Sequence, residues 1–466
     1  MPLPRRARIR LSIAGIAVAA TVASPRATAQ APTPFAVTPY LQNLQPTSAI
    51  VRFELRSPAP ATVEVLADGA QTTRFESATT QRFHSVHLTG LRPATTVSYQ
   101  VRVGAATSDR GTFTTAPAQD ASPSFSFTLY GDSRSGSAAH ASVVREIEAL
   151  PSDLLVGTGD IVASGKDREE WLEFFSIEQR LLRDRCLFSV IGNHELVGKG
   201  PAARQPWIRY FAPTDDARGA AYYTFRWSNT RFFMLDAMDS WDGAQAQWLR
   251  SELDRAEHEP GLVHRFVVTH HSPFSSGPHG PSVAFVSKGM VDELVRHHVE
   301  LIMAGHDHLY ERGETSGVKY IISGGAGAPL YSVKKTQPGS AFTASDHHFV
   351  QMQVDGAVVV ATAHALGKGV LERCSFRAGH AWECSEGADA AATAVPSPSS
   401  PPPVASSSAP AVPMPPASAR PVGPPPAPKC TCDVPGSREN VDGSGVLLAA
   451  LALGATHRRS RRRARA

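Results

Sequence analysis

From Phe35 to about Pro117 the chain is organised in short runs of strand-like composition. Residues 49–55 and 61–66 are rich in apolar and β-branched side chains and partly alternate, so each predicts a strand with one face toward a core. Residues 84–91 and, beyond Pro93, 97–103 repeat the pattern. Several short strands at this spacing predict a small β-sandwich. From Ser124 the pattern changes. Strand-like runs such as 125–130 and 154–158 now alternate with helix-like segments at 139–150, 168–182 and 243–257. That alternation predicts an α/β or α+β domain on a mixed sheet, with polar motifs just beyond the strand ends, where such folds build their sites. After about Gly387 the chain is mostly Ala, Ser and Pro as far as Lys429, which can bury no core and reads as an extended spacer.

The two ends read as targeting segments. In residues 1–29 a basic stretch, Arg5 to Arg10, precedes an apolar run and then Ala27-Thr28-Ala29, the small-x-small pattern of a signal peptide cleaved after Ala29. The apolar run is shorter than the roughly 20 residues a permanent span needs. The Arg5-Arg6 pair leaves general secretory and twin-arginine export both open. Residues 430–466 combine Cys430-Thr431-Cys432, a short apolar run at 446–453 and arginines from Arg458. This resembles the C-terminal sorting tags of myxobacterial surface proteins. The resemblance implies that the tail meets a membrane or sorting machinery and that the protein works at the cell surface, in the outer membrane or outside the cell. A disordered basic tail is the other reading.

Composition changes this picture little. A length of 466 residues allows two or three folded domains, and 42% hydrophobic with 19% charged residues is ordinary for a soluble globular protein. The net charge of +4 owes much to the arginines at the two ends; between them charges nearly balance, so no nucleic-acid-binding surface is expected. Of the five cysteines, Cys374 and Cys384 are a plausible disulfide pair, and Cys186, in an apolar run, is a buried thiol.

The chemistry lies in five motifs between 131 and 312: Gly131-Asp132-Ser133-Arg134, Gly159-Asp160, Gly192-Asn193-His194-Glu195, Thr269-His270-His271-Ser272-Pro273, and Gly305-His306-Asp307-His308-Leu309-Tyr310-Glu311-Arg312. Each follows an apolar run, which places each on a loop leaving a strand. A lone Gly-Asp or a lone histidine is commonplace. Together they supply two Asp, one Asn and several His, oxygen and nitrogen donors that suit Zn, Mn or Fe rather than a thiolate cluster. Two ions about 3.5–4 Å apart sharing one carboxylate would polarise a phosphoryl oxygen and bind an attacking hydroxide.

The array is similar to the calcineurin-like metallophosphoesterases, and its last motif resembles the purple acid phosphatase form. Pro39-Tyr40-Leu41-Gln42-Asn43 and residues 91–99 resemble the fibronectin type III-like domain that precedes the catalytic domain in large purple acid phosphatases. The resemblance implies a multidomain chain. An all-β immunoglobulin/fibronectin III-like sandwich covers 33–117, and an α/β four-layer (α-β-β-α) metallophosphoesterase domain covers 123–386. The linker 387–429 and the tail 430–466 follow.

It also implies roles. Asp160 is the bridging carboxylate; Asp132 and His308 hold a first metal; Asn193, His306 and one of His270 and His271 hold a second. His270 is favoured because Phe274 stands four places on, where the family tends to have an aromatic residue; His271, followed by Ser272-Pro273, is the alternative. His194 or His279 acts as general acid. The cofactors implied are two divalent or trivalent transition metal ions, Fe, Zn or Mn, and the substrate a phosphate ester. A monoester is preferred, with a phosphodiester or nucleotide as the alternative. Two positions depart from the family: Arg134 stands where a His ligand is usual, and Ala163 where purple acid phosphatases place an iron-binding Tyr. Arg134 either grips a phosphate oxygen or pairs with Asp132 or Asp160. The missing ligands also admit a surface binding protein with a weak first metal site. The run Gly324-Gly325-Ala326-Gly327-Ala328 lacks a nucleotide-binding register and reads as a tight turn near the metals.

Overall fold

The computed structural model describes residues 33–67, 72–212 and 221–386. The segments expected to be a leader (1–29), a spacer (387–429) and a sorting tail (430–466) lie outside the described residues.

The N-terminal part is a β-rich domain. The runs at 49–55 and 61–66, expected as two strands, are one 20-residue strand, Ser48–Ala67. Between them lie Pro58 and Pro60, and there the register with Thr73–Thr89 slips on both sides of Ala59. Proline has no N–H for the ladder and is tolerated in a strand at such a bulge. The long strand therefore serves two neighbours in succession, Phe35–Gln42 with its first half and Thr96–Val103 with its second.

The second part is built on two seven-stranded mixed sheets. In the first, Phe125–Tyr130, Leu154–Gly157 and Leu187–Ser189 run parallel, and antiparallel strands from His348–Asp355 to Glu383–Glu386 complete the far side. In the second, Thr230–Leu235, His264–Thr269, Leu301–Ala304 and Val318–Ser323 are parallel. The alternation of side chains shows how the layers stack. Phe232 and Met234 share a core with Phe127 of the first sheet, whereas Phe233 and Leu235 join Leu249, Leu253 and Leu294 of the helices Ala244–Glu257 and Met290–Arg296. Phe127 meets Phe232 edge-on at 5.3 Å. On the other flank, Ser137–Glu148 buries Val143, Val144 and Ile147. Four layers result, as the resemblance implies.

One helix differs from expectation. The segment at 168–182 breaks at Glu178 into Arg168–Ile177 and Gln179–Asp184. Glu178 is fully buried, accepts from the Tyr130 hydroxyl at 2.8 Å and lies 3.2 Å from His140 Nε2, so tertiary partners override a continuous helical pattern. The disulfide Cys374–Cys384 joins two directly paired residues of neighbouring strands, and the Cys186 thiol is buried and free.

The two parts share one apolar core. The Tyr40 ring packs at a tilt against Phe175, 4.8 Å between centroids, and its hydroxyl donates to Tyr210 O at 3.1 Å. Further along, Tyr99 donates to Arg183 O at 2.9 Å, and Arg168 pairs with the buried Glu54 at 2.8 Å.

A buried histidine makes stability depend on pH. His348 is fully buried; its Nδ1–H donates to Asp346 O at 2.8 Å, and Nε2 has no hydrogen-bond partner. Burial lowers its pKa to about 4. The unfolded chain takes up a proton as pH falls through about 6.5, while the folded chain does so only near 4. Its contribution is therefore whole above about pH 6.5 and is lost between 6.5 and 4, on the order of 3 kcal/mol at most. Urea unfolding at pH 7.5 and 5.0 should show a smaller drop for His348→Phe than for wild type. Equal drops would mean that this residue is not the origin.

Candidate metal centre

The parallel strands of the two sheets end at a common edge, and the loops leaving them carry the expected residues. Asp132 follows Phe125–Tyr130, Asp160 follows Leu154–Gly157, and Asn193 and His194 follow Leu187–Ser189. From the other sheet, His270 directly follows His264–Thr269, and His306 lies just beyond Leu301–Ala304. Backbone bonds tie the loops together: Asp132 N–H to Gly159 O at 2.9 Å, Gly305 N–H to His270 O at 3.1 Å, and Ala328 N–H to Asp132 O at 2.8 Å. The last of these, with Ala326 N–H to Gly131 O, sets the glycine-rich run at 324–328 against the site.

Asp132, Asp160 and His306 have φ of 56°, 53° and 69°, a region side chains other than glycine seldom adopt. Each costs about 1–3 kcal/mol and persists only where the surroundings enforce it. Gly192 must lack a side chain for another reason: a Cβ there would lie 2.2 Å from Asp160 Oδ1.

Two donor groups meet at Asp160. In one, ligand atoms of His270, His271 and His306 lie within 4.8 Å of one another, and the same holds for Asp132, Asp160 and His308 in the other. Asn193 Oδ1 faces the first group, 3.1 Å from His270 Nε2 and 3.4 Å from His271 Nε2. Both histidines therefore reach the site, where the motif pattern implied one. Asp160 joins the groups through Oδ1, 3.3 Å from His270 Nε2. In the second group His308 Nε2 is 3.6 Å from Asp132 Oδ1, and both oxygens of Asp132 accept the His306 N–H.

The hydrogen bonds fix which ring nitrogens point inward. His270 Nδ1–H donates to Thr158 O at 2.7 Å, and His308 Nδ1–H donates to Pro329 O at 2.7 Å. An imidazole anchored through one nitrogen presents the other to a ligand. Burial holds His271 and His308 near pKa 4 and His306 near 2, all neutral at neutral pH. Burial alone would raise the Asp160 carboxyl; His270 beside it and the His194 N–H outweigh this and hold it below the usual range. Asp132 is pushed up, first by burial.

His194 and His279 flank the group. His194 is about one-third exposed, with Nδ1 on Ala163 O at 2.7 Å and Nε2 3.9 Å from Asp160 Oδ2. His279 is more open, its ring 4.2 Å from that of His306 and its Nδ1 2.9 Å from Asp307 Oδ1. Arg134 takes the pairing arrangement: Nε donates to Asp160 Oδ2 at 3.1 Å and Nη2 to His308 Nε2 at 3.3 Å.

Three contributors have no role that the motifs assign. Glu195 is fully buried and accepts four backbone N–H groups, those of Asp160, Ile161, Val162 and Gly192, at 2.6–3.1 Å. Asp307 orients His279, and Tyr331 stacks on His308 at 4.2 Å and interacts with Arg134. Glu195 ends a recognised motif, so its position was available. Tyr331 comes from an irregular segment with no periodic signal.

Residues 125–310 match the calcineurin-like phosphoesterase family, and residues 28–115 match the purple acid phosphatase N-terminal domain. Among curated proteins, the uncharacterized protein Rv2577 of Mycobacterium tuberculosis is 25% identical over 275 residues, 51% of this chain and 52% of that protein. Purple acid phosphatase 23 of Arabidopsis thaliana is 27% identical over 129 residues, 26% of this chain and 28% of that protein. The chain thus spans about half the length or less of the curated relatives it matches. In fold it resembles purple acid phosphatase PPD1 from yellow lupin (Lupinus luteus) seeds, with TM-score 0.62 at 16% identity over 73% of this chain and 74% of that one. PhoD gives TM-score 0.63 at 12% identity over 77% of this chain and 93% of that one.

Proposed function

Because this chain carries a calcineurin-like phosphoesterase domain behind a purple acid phosphatase N-terminal domain, we propose that it hydrolyses phosphate monoesters at a metal centre assembled around Asp160. The observation that carries the reading is the meeting of two donor groups at that one buried carboxylate.

The dinuclear plan needs a cation on each side of Asp160. The histidine side fits: Asn193, His270, His271 and His306 offer one oxygen and three imidazoles, and His270 turns Nε2 inward. That donor set suits Fe, Zn or Mn. The other side has Asp132, Asp160 and His308, with Arg134 already bonded to two of the three. When bound, such ions polarise a phosphoryl oxygen and lower the pKa of water.

The remaining groups act on the substrate directly. His279 is accessible and held by Asp307, which suits it to protonate the departing oxygen; His194, with Nδ1 committed to Ala163 O, presents Nε2 to the same space. Loss of such a proton donor costs about 10²–10⁴-fold in rate.

Purified protein reconstituted with Fe, Zn or Mn should hydrolyse p-nitrophenyl phosphate faster than bis(p-nitrophenyl) phosphate. Preference for the diester would favour a phosphodiesterase instead. No turnover of either ester with any of the three metals would leave a binding protein.

A further inference from the structure

We propose that the Arg134 guanidinium stands where a first cation would sit, so that the centre holds a single metal ion, on the histidine side of Asp160, with Arg134 as its second positive charge. This rests on the reading of the site as a metal centre and goes beyond it by assigning what fills each half.

The argument starts from the His308 ring. Its Nδ1 is committed to Pro329 O, so Nε2 has one lone pair in the ring plane, and Arg134 Nη2–H points at it from 3.3 Å. A nitrogen lone pair that accepts this hydrogen bond cannot also ligate an ion. Asp160 Oδ2 is the second donor a first cation needs, and Arg134 Nε–H reaches it at 3.1 Å. The third is Asp132, whose two oxygens both take the His306 N–H. A cation entering this half would have to displace Arg134 from the one free lone pair of His308 and compete with it for Asp160 Oδ2, with the Asp132 oxygens already shared with the His306 N–H.

The guanidinium is also held in place. Its side chain is only 14% exposed, the Arg134 N–H donates to Asp160 O, and Tyr331, stacked on His308, interacts with it. Arginine stays charged at any pH a protein tolerates, so it leaves only by swinging out, never by losing its proton. Electrostatically it does part of an ion's task. Two buried carboxylates, Asp132 and Asp160, lie side by side here, and a fixed positive charge between Asp160 and His308 offsets their repulsion. On the other side of Asp160 the described donors are Asn193 and three imidazoles, and the Arg134 bonds run to Asp160 Oδ2 and His308 instead.

Metal content of the full chain, saturated with Zn or Mn, desalted and measured by elemental analysis, tests this directly. Wild type should retain about one ion per chain, and Arg134→His, which exchanges the guanidinium for an imidazole, about two. Arg134→Met keeps the apolar stem without the donors and should also take up a second ion, seen in calorimetric titration with Mn. Two ions retained by wild type would overturn the inference while leaving the hydrolase reading intact. So would a count of one in both variants. No ion in wild type, together with no turnover, would sink both.

Discussion

Asp160→Asn is expected to abolish hydrolysis, by roughly 10³-fold or more, while leaving the fold nearly unchanged. Asparagine has the same shape and its oxygen can still accept the His194 N–H that reaches Asp160 Oδ1 at 3.0 Å. What it removes is the charge. Asp160 is buried, and the negative carboxylate is favoured by His270 at 3.3 Å and Arg134 at 3.1 Å, groups contributed by loops of different strands. A neutral amide attracts a cation to Asn193 and the three histidines less strongly than the carboxylate does, so metal affinity should fall along with the rate. Circular dichroism of the metal-free variant should match that of metal-free wild type, with a lower melting temperature because the amide NH₂ faces the Arg134 Nε–H that Asp160 Oδ2 accepts. A variant that keeps its metal and turns over at the wild-type rate would show that Asp160 is not the hub of the centre.

Glu195→Ala should have the largest effect on stability. Its two oxygens each serve two donors: Oε1 takes Ile161 and Val162 N–H, and Oε2 takes Asp160 and Gly192 N–H. Removing the carboxylate strands four buried amides. Each such orphan costs about 1–3 kcal/mol, and even with partial relaxation the loss should exceed about 3 kcal/mol. Glu195→Gln should do little better, because its amide NH₂ would face two of those donors. The loops of Asp160 and Asn193 should loosen together, so metal affinity should drop although Glu195 is not among the proposed ligands. Thermal and urea unfolding of both variants, with metal titration, check this. A glutamine variant as stable as wild type would mean that water takes over the carboxylate's bonds.

Much of this is legible in the sequence because the relevant signals are local. A strand that ends in a Gly-Asp or Gly-His pair announces itself by an apolar run and a turn residue. The five motifs therefore mark the loops by residue pattern alone, and the fold brings those loops to one edge. Expectation fails where the deciding partner is distant. Nothing near Glu178 foretells that Tyr130 and His140 break the helix there. Nothing near 49–66 says whether the prolines end a strand or bulge one. The posture of Arg134 is an open choice in the sequence for the same reason: its partners, Asp160 and His308, lie 26 and 174 positions away. Residue type states that a guanidinium is present, and only packing states what it faces.

The apolar core that runs without a break from Tyr40 and Tyr99 to Phe175 and Phe211 has a consequence for how this protein comes apart. Aromatic rings and buried polar links that cross from one part to the other couple their melting, so heating should give one cooperative transition rather than two. A chain shortened to begin at 118 would present Phe175 and the Tyr210 carbonyl to water and should aggregate rather than work alone. Replacing the front module with another would therefore require redrawing the surface that Tyr40 and Tyr99 grip.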